Sequence, residues 1–153
     1  MQLKKIKGEE TYKTRHLVLR QDQELKECAY PLDQEKETGH FGVYYSNQRI
    51  GVASIFLDPY EDFTQKSQWR IRGMAVVPEF QGKGLGQKLL EACIEHAELN
   101  KAEIIWCKAR ATAIIFYEKS GFLAKGGPYE LERPGLNGTV VKVPVKLLYK
   151  EFA

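Results

Sequence analysis

The sequence predicts a single mixed α/β domain whose sheet is mostly antiparallel and flanked by helices. Three observations carry that prediction. Two aromatic and β-branched runs, Phe41 to Tyr45 and Arg49 to Leu57, flank the turn Ser46-Asn47-Gln48 and read as an antiparallel hairpin. A further strand, Trp69 to Val77, runs into glycines at positions 82, 84 and 86, after which an amphipathic helix leads to a short apolar run, Glu103 to Cys107. Strand, helix and strand make a right-handed parallel crossover. The third is a series of strand-like runs between Phe122 and Tyr149, broken by Gly and Pro turns.

In chain order, Gln2 to Ile6 reads as a first strand and Thr11 to Leu19 as a helix with Tyr12, Leu17 and Leu19 turned partly inward. Gln21 to Thr38 is polar and acid-rich, and reads as a short helix followed by a mobile loop. Such an insert is either a wall for a substrate or a solvated connector. After the hairpin, Trp69 to Arg72 alternates apolar and basic residues before the strand turns apolar on both faces, which marks its entry into the interior. The helix Gly84 to Asn100 carries Leu85, Leu89, Cys93 and Ala97 at a spacing of four, with Lys88, Glu91, Glu95 and Glu98 on the other face and Asn100 as terminator. A second helix, Ala111 to Ser120, stops at Gly121. Phe122 to Ala124, Tyr129 to Arg133 and Thr139 to Tyr149 follow as strands, and Pro144 implies an edge, a bulge or an interruption in the last.

At 153 residues the chain has the size of one domain, 1–153, able to bury one substantial core. With 43% apolar and 28% charged residues, the composition is that of a soluble globular protein. The longest apolar run, Ile50 to Leu57, is too short to span a bilayer, and the N-terminus lacks the apolar core of a secretory signal. No membrane association is expected. Cys28, Cys93 and Cys107 are odd in number and set among apolar neighbours, which suits a reducing cytosol; a cytoplasmic location is expected. The three histidines are too scattered for a metal site, and none is expected. A net charge of +3, with lysines interleaved among acids, argues against nucleic acid but suits an anionic cofactor.

The chain is organised around Met74 to Leu90. Glycines permit positive φ and close approach of backbone to a ligand, and a helix start aims unpaired N–H groups and a positive dipole end at an anion. A P-loop would need an upstream Gly and a hydroxyl residue around Gly82-Lys83-Gly84, and both are missing. The dinucleotide pattern fails at Gln87, where its last glycine would stand. Gln/Arg-x-x-Gly-x-Gly/Ala is filled without a gap by Gln81, Gly84 and Gly86. With a Val-Val-Pro strand end before it and a helix after it, this segment resembles the GNAT superfamily of N-acetyltransferases, in which it binds the pyrophosphate of acetyl-CoA.

A second constellation tests the resemblance. Ala109, Arg110, Ala113, Phe116, Tyr117, Lys119, Gly121 and Phe122 match, in order, the family's Ala-Arg-x-x-Ala-x-x-Phe-Tyr-x-Lys-x-Gly-Phe. The resemblance spans about Gly39 to Phe122. It implies a sheet of about six to seven strands, splayed between two central parallel strands, and direct transfer of an acetyl group from acetyl-CoA to a primary amine in a ternary complex.

The resemblance also implies roles. Backbone groups of Met74, Ala75, Val76 and Val77 would receive the pantetheine arm and polarise the thioester carbonyl. The amides of Gln81, Gly82, Lys83, Gly84, Leu85, Gly86 and Gln87 would hold the pyrophosphate, with Lys83 and Lys88 adding charge. Tyr117 would act as general acid, because the leaving thiolate needs a proton and a phenol can donate one. Its bland alternative is a core aromatic. Lys108-Ala109 stands where some members carry a cofactor-contacting Asn.

The acceptor, a small-molecule or peptide amine, is not specified by these residues. Glu79, His40, Asp58 and Glu130 are candidate bases, with a water chain as the alternative. Arg70 and Arg72 would bind an anionic group of the acceptor or pair on the surface with Glu61 or Asp62. The family often forms homodimers. A non-catalytic acyl-CoA sensor on the same fold is the rival from another class.

Overall fold

The computed structural model describes residues 1–152. Strand β1 (Gln2–Lys5) pairs antiparallel with β2 (Gly39–Tyr45), which turns into β3 (Gln48–Leu57). Ser46 and Asn47 both take positive φ, 48° and 65°, so the hairpin closes on a two-residue turn whose twist suits the flanking strands. β4 (Gln68–Val76) continues the antiparallel meander against β3. A 3-10 turn at Pro78–Phe80 and the glycine loop lead into a helix over Leu85–Leu99, after which β5 (Ile104–Arg110) returns parallel to β4. β6 (Leu123–Ala124), β7 (Tyr129–Pro134) and β8 (Val140–Glu151) complete the sheet.

The strand order is β1-β2-β3-β4-β5-β8-β6, with β7 also on β8, and β4 with β5 forms the one parallel pair among the described residues. The sheet has eight strands, not the six to seven expected, because the run after Phe122 supplies a two-residue strand as well as the β7–β8 hairpin. Pro144 lies one residue before the β5 ladder begins at Val145, on the stretch of β8 flanked by β7 alone. This strand position tolerates its missing N–H on the free side.

Three α-helices flank the sheet: α1 (Tyr12–Leu19), α2 (Leu85–Leu99) and α3 (Ile114–Glu118). α2 packs on β2, β3 and β4. Its stripe Leu85, Leu89, Cys93 and Ala97 is closed to solvent and joins Val43, Ile50, Ile105 and Leu148 in the core. Burial of each large aliphatic side chain there contributes about 1.5–3 kcal/mol. α2 ends with Asn100 as C-cap, and Lys101 takes the left-handed conformation (φ 59°) that follows it.

α1 departs from expectation. Leu17 is 52% exposed, and the residues turned to the sheet are Thr14 and Arg15, the latter 0% exposed. A buried arginine requires partners, and all of its side-chain nitrogens but Nε have them. Arg15 donates through Nη1 to Asp33 Oδ2 (2.8 Å) and the Cys28 carbonyl (2.8 Å), and through Nη2 to Asp33 Oδ1 (2.9 Å) and Ser54 Oγ (2.9 Å). These bonds also correct the reading of residues 21–38 as a short helix and mobile loop. The segment holds a 3-10 turn at Leu25–Cys28, and Gln23, Cys28, Tyr30 and Asp33 are buried, so it is anchored to α1 and β3.

Candidate active site

β4 and β5 are paired only from Gln68↔Ile104 to Arg70↔Trp106. Beyond that point β4 stays with β3 as far as Val76, while β5 stays with β8 along its whole length. The sheet therefore opens between its two parallel strands, as the family resemblance implied. The register of β3 against β4 shifts between Val52↔Ala75 and Ser54↔Arg72, which inserts one extra residue on β4 around Gly73. Gly73 has φ 72°, and a Cβ there would stand 3.0 Å from Arg15 Nε and 3.2 Å from the Tyr30 ring. This bulge was not anticipated, although an isolated Gly within a strand pattern is its sequence signal.

The opening forms a cleft of about 370 Å³. Met74, Ala75, Val76 and Gln81 line it from one side, and Cys107 to Arg110, Phe116 and Tyr117 from the other. The Val77 N–H donates to the Ile50 carbonyl (2.9 Å), so by strand alternation Val77 and Ala75 spend their backbone groups on β3. Met74 and Val76 turn theirs toward the gap. Of the four residues expected to offer backbone to a ligand, only these two face the gap, and the Val76 carbonyl is engaged by the Gln81 side chain.

The glycine loop has the expected form except at Gln81, whose N–H closes the Pro78–Phe80 turn on the Pro78 carbonyl (3.2 Å) and is not free for a phosphate. Gly82 and Gly84 take φ 77° and 79°, and Gly84 is the N-cap of α2 with no side chain capping it. The first helical bond is Lys88 N–H to the Gly84 carbonyl, which leaves the amides of Leu85, Gly86 and Gln87 without a helical acceptor. Gln81 donates through Nε2 to the Val76 carbonyl (2.8 Å), tying loop to strand end. Gly86 is held against α3, since a Cβ would lie 3.2 Å from the Phe116 ring. The Gln87 side chain accepts from Ser120 Oγ (3.3 Å), so Gln87 has only its backbone for the loop mouth. Lys83 and Lys88 are exposed.

Tyr117 lies at the end of α3, 5% exposed, and lines the cleft. Its position is fixed by how the helix stops. Gly121, at φ 90°, donates its N–H to the Glu118 carbonyl, and Phe122 donates to the Tyr117 carbonyl (3.2 Å). In this pattern the residue after the glycine packs back on the last turn, and here the Phe122 and Tyr117 ring centroids are 5.4 Å apart. The Gly-Phe that ends the second constellation thus positions its tyrosine. Burial, then the neighbouring Cys107 and Cys93 sulfurs, push the Tyr117 hydroxyl well above the usual phenol range. Burial likewise pushes both thiols up, Cys107 despite an opposing effect from Arg70.

The other mouth of the cleft is cationic. Arg20, Arg70, Arg72, Lys108, Arg110 and Arg133 line it, drawn from the end of α1, from β4, β5 and β7. Arg72 lies 4.0 Å from the centroid of the Tyr30 ring, Arg20 lies 5.0 Å from it and bonds the Tyr30 hydroxyl, and Arg110 donates to the Leu19 carbonyl. Lys108 stands over Tyr60. Arg70 reaches Asp58 at 3.8 Å and leaves its buried Nε without a partner.

The four candidate bases do not converge. Glu79 and Glu130 are exposed and do not line the cleft. His40 is buried away from it, with Nδ1 bonded to Ser54 Oγ (2.6 Å) and Nε2 to the Asp33 carbonyl (2.9 Å). Asp58 lines an adjoining hollow of about 300 Å³ that shares Tyr30, Arg70 and Arg72 with the cleft.

Known proteins resemble the chain in both sequence and structure. Residues 6–122 match the model of the acetyltransferase (GNAT) family. The uncharacterized N-acetyltransferase YitI of Bacillus subtilis (strain 168) is 32% identical over 145 residues, which is 92% of this chain and 93% of that protein. The spermine/spermidine N(1)-acetyltransferase of the same organism is 32% identical over 103 residues, 62% of this chain and 68% of that protein. Among solved structures, yncA of Salmonella typhimurium, determined with its cofactor acetyl-CoA, superimposes with a TM-score of 0.71 at 16% identity, covering 100% of this chain and 94% of that one. The family model spans most of the chain and YitI is matched over 93% of its length: the chain belongs to the acetyltransferase (GNAT) family.

Proposed function

We propose that the chain moves an acetyl group from acetyl-CoA to a primary amine by direct attack in a ternary complex. The acyltransferase class follows from the family. One observation carries the mechanism: the gap between β4 and β5 has the glycine cradle at one end, open backbone along Met74 and Val76, and Tyr117 on its wall. The uncapped start of α2 and the left-handed glycines fit a pyrophosphate, and the open strand backbone fits the amides of a pantetheine arm.

Bound there, acetyl-CoA supplies an activated acetyl thioester. The amides of Gly82 to Gln87 hold its phosphates, Lys83 and Lys88 add charge, and a backbone N–H of the bulged strand end polarises the carbonyl oxygen. Attack by the neutral amine forms the N–C bond as the C–S bond breaks. Tyr117 gives its proton to the departing sulfur, and the proton lost from nitrogen leaves through solvent. Tyr117 stays protonated well past neutral pH, so the donor is ready at every turnover. Its high proton affinity opposes donation, but the same dry cleft raises the basicity of the thiolate it serves. Cys107, the thiol lining the cleft, is held in its neutral form by burial, which favours direct attack over an acyl-cysteine route. Three buried free cysteines suit a cytoplasmic site of action.

The test is calorimetric titration with acetyl-CoA, followed by an assay of free CoA thiol with a library of amines. Saturable binding with thiol release that depends on the added amine is the expected result. Binding without release for any amine would instead identify a non-catalytic acyl-CoA sensor.

A further inference from the structure

We propose that the amine acceptor carries an oxyanion, a carboxylate or a phosphate, close to its reacting nitrogen, and that Arg72, Arg70 and Arg133 receive it. This inference rests on the acetyltransferase reading above. Six cationic side chains line the cleft, and among the described residues no Asp or Glu does. Of the six, only Arg70 has an ion pair, at 3.8 Å to Asp58 in the adjoining hollow. Arg15, the neighbour on the Tyr30 ring, is neutralised by Asp33, but Arg20 and Arg72 on the same ring are not. Guanidiniums gathered this closely repel one another. Burial first, then Arg70, Arg20 and Arg133, lower the pKa of Arg72 to about 10, and Arg133 falls to about 10 for similar reasons.

Such an assembly is unfavourable in the empty protein and becomes favourable when an anion enters. The phosphates of the acyl donor do not fill this role. Their cradle begins at Gly82, beyond the carboxyl end of β4, whereas Arg70 and Arg72 precede the Gly73 bulge. Arg72 is one residue from that bulge, on the order of 3 Å along the strand, so an anion held by it lies near the reacting carbonyl. Tyr30 supplies the floor, its ring fixing Arg72 at 4.0 Å, and it comes from the 21–38 segment anchored by Asp33. A polyamine, cationic at every nitrogen, meets like charge here and is rejected.

The experiment uses reaction products, so that it does not depend on turnover. The full chain is saturated with CoA, which occupies the phosphate cradle, and titrated with N-acetylated amino acids, N-acetyl-O-phosphoethanolamine, the neutral amides of the former, and N-acetylspermidine. Compounds bearing an oxyanion should bind at least tenfold tighter than neutral or cationic ones, and comparison of the carboxylate and phosphate arms identifies which anion is preferred. Arg72→Gln and Arg133→Gln should each remove most of that preference while leaving CoA binding intact, which also certifies that the variants are folded. Equal or tighter binding of N-acetylspermidine or the neutral amides overturns the proposal, as does the absence of any oxyanion binding to CoA-loaded protein. Failure to bind CoA at all overturns the acetyltransferase reading instead.

Discussion

Arg15 and Asp33 meet in a two-pronged ion pair, Nη1 to Oδ2 at 2.8 Å and Nη2 to Oδ1 at 2.9 Å, with both side chains closed to water. The pair joins α1 to the segment that follows it, and Arg15 lies directly behind Gly73. Removing one partner strands a buried charge, and such losses run to about 3–5 kcal/mol. Asp33→Ala should lower the unfolding free energy in urea by that amount. A loss under about 1 kcal/mol would show that α1 and the 21–38 segment are held by something else.

His40 should make the fold acid-sensitive. With the ring neutral, Arg15 Nη2 donates to Ser54 Oγ, the Ser54 hydroxyl donates to His40 Nδ1, and His40 Nε2–H donates to the Asp33 carbonyl, so both ring nitrogens are satisfied without a charge. Asp33, Arg15 and Glu9 are the charged groups that act on it, and burial outweighs them all, lowering its pKa from 6.5. The Asp33 carboxylate, though 3.8 Å away, is already engaged by Arg15. Below about pH 6.5 the unfolded imidazole therefore binds a proton that the folded one refuses, so stability falls as pH drops, by at most about 1.4 kcal/mol per pH unit. Urea unfolding from about pH 7.5 to about pH 5 should show a shallower slope in His40→Gln than in the unmodified chain. Parallel slopes would place the acid sensitivity elsewhere.

Tyr117→Phe removes the hydroxyl and leaves the ring packed on Phe122. The expected result is a kcat lower on the order of 10²-fold with acetyl-CoA affinity little changed. Unchanged kcat, with the chemical step shown to be rate-limiting, would reduce Tyr117 to a packing residue.

Gly84→Glu should separate binding from folding. A Cβ at this position meets nothing within 4 Å, so the substitution is strained only by the φ of 79° and costs the fold about 1 kcal/mol. The carboxylate, however, would stand among amides that await phosphate. Calorimetry should show acetyl-CoA affinity weakened at least 100-fold, about 2.7 kcal/mol, with the urea transition nearly in place. Normal affinity would remove the loop from the donor site.

The sequence displayed the elements whose order is local. The β2–β3 hairpin, α2 and the left-handed glycines followed from alternation, a spacing of four and the positions of Gly82 and Gly84. α1 was legible as a helix over Thr11 to Leu19, but its inward face was not, because periodicity assigns apolar residues inward, and here Arg15 faces inward on partners 13 to 39 residues away in sequence. The order in 21–38 depends on the same bonds and was hidden for the same reason. The place of Tyr117 on the cleft wall was signalled by its motif, but the Arg72, Arg110 and Arg133 cluster is assembled by tertiary packing of three strands. Only the Arg70-Ile71-Arg72 alternation hinted at it.

The parting of β4 and β5 gives this sheet two further edges, located in its middle. An unpaired edge on the rim of a sheet is a hazard, since its free N–H and C=O groups recruit foreign strands and seed aggregation. Along Met74 and Val76 such groups, apart from the Val76 carbonyl that Gln81 covers, are recessed in a cleft of about 370 Å³, with Tyr117 and Phe116 on the opposite wall. A slender chain of amides can reach them, whereas the strand of another folded molecule would have to bring its neighbours too. Recessing the edge preserves its appetite for hydrogen bonds while restricting what can satisfy it.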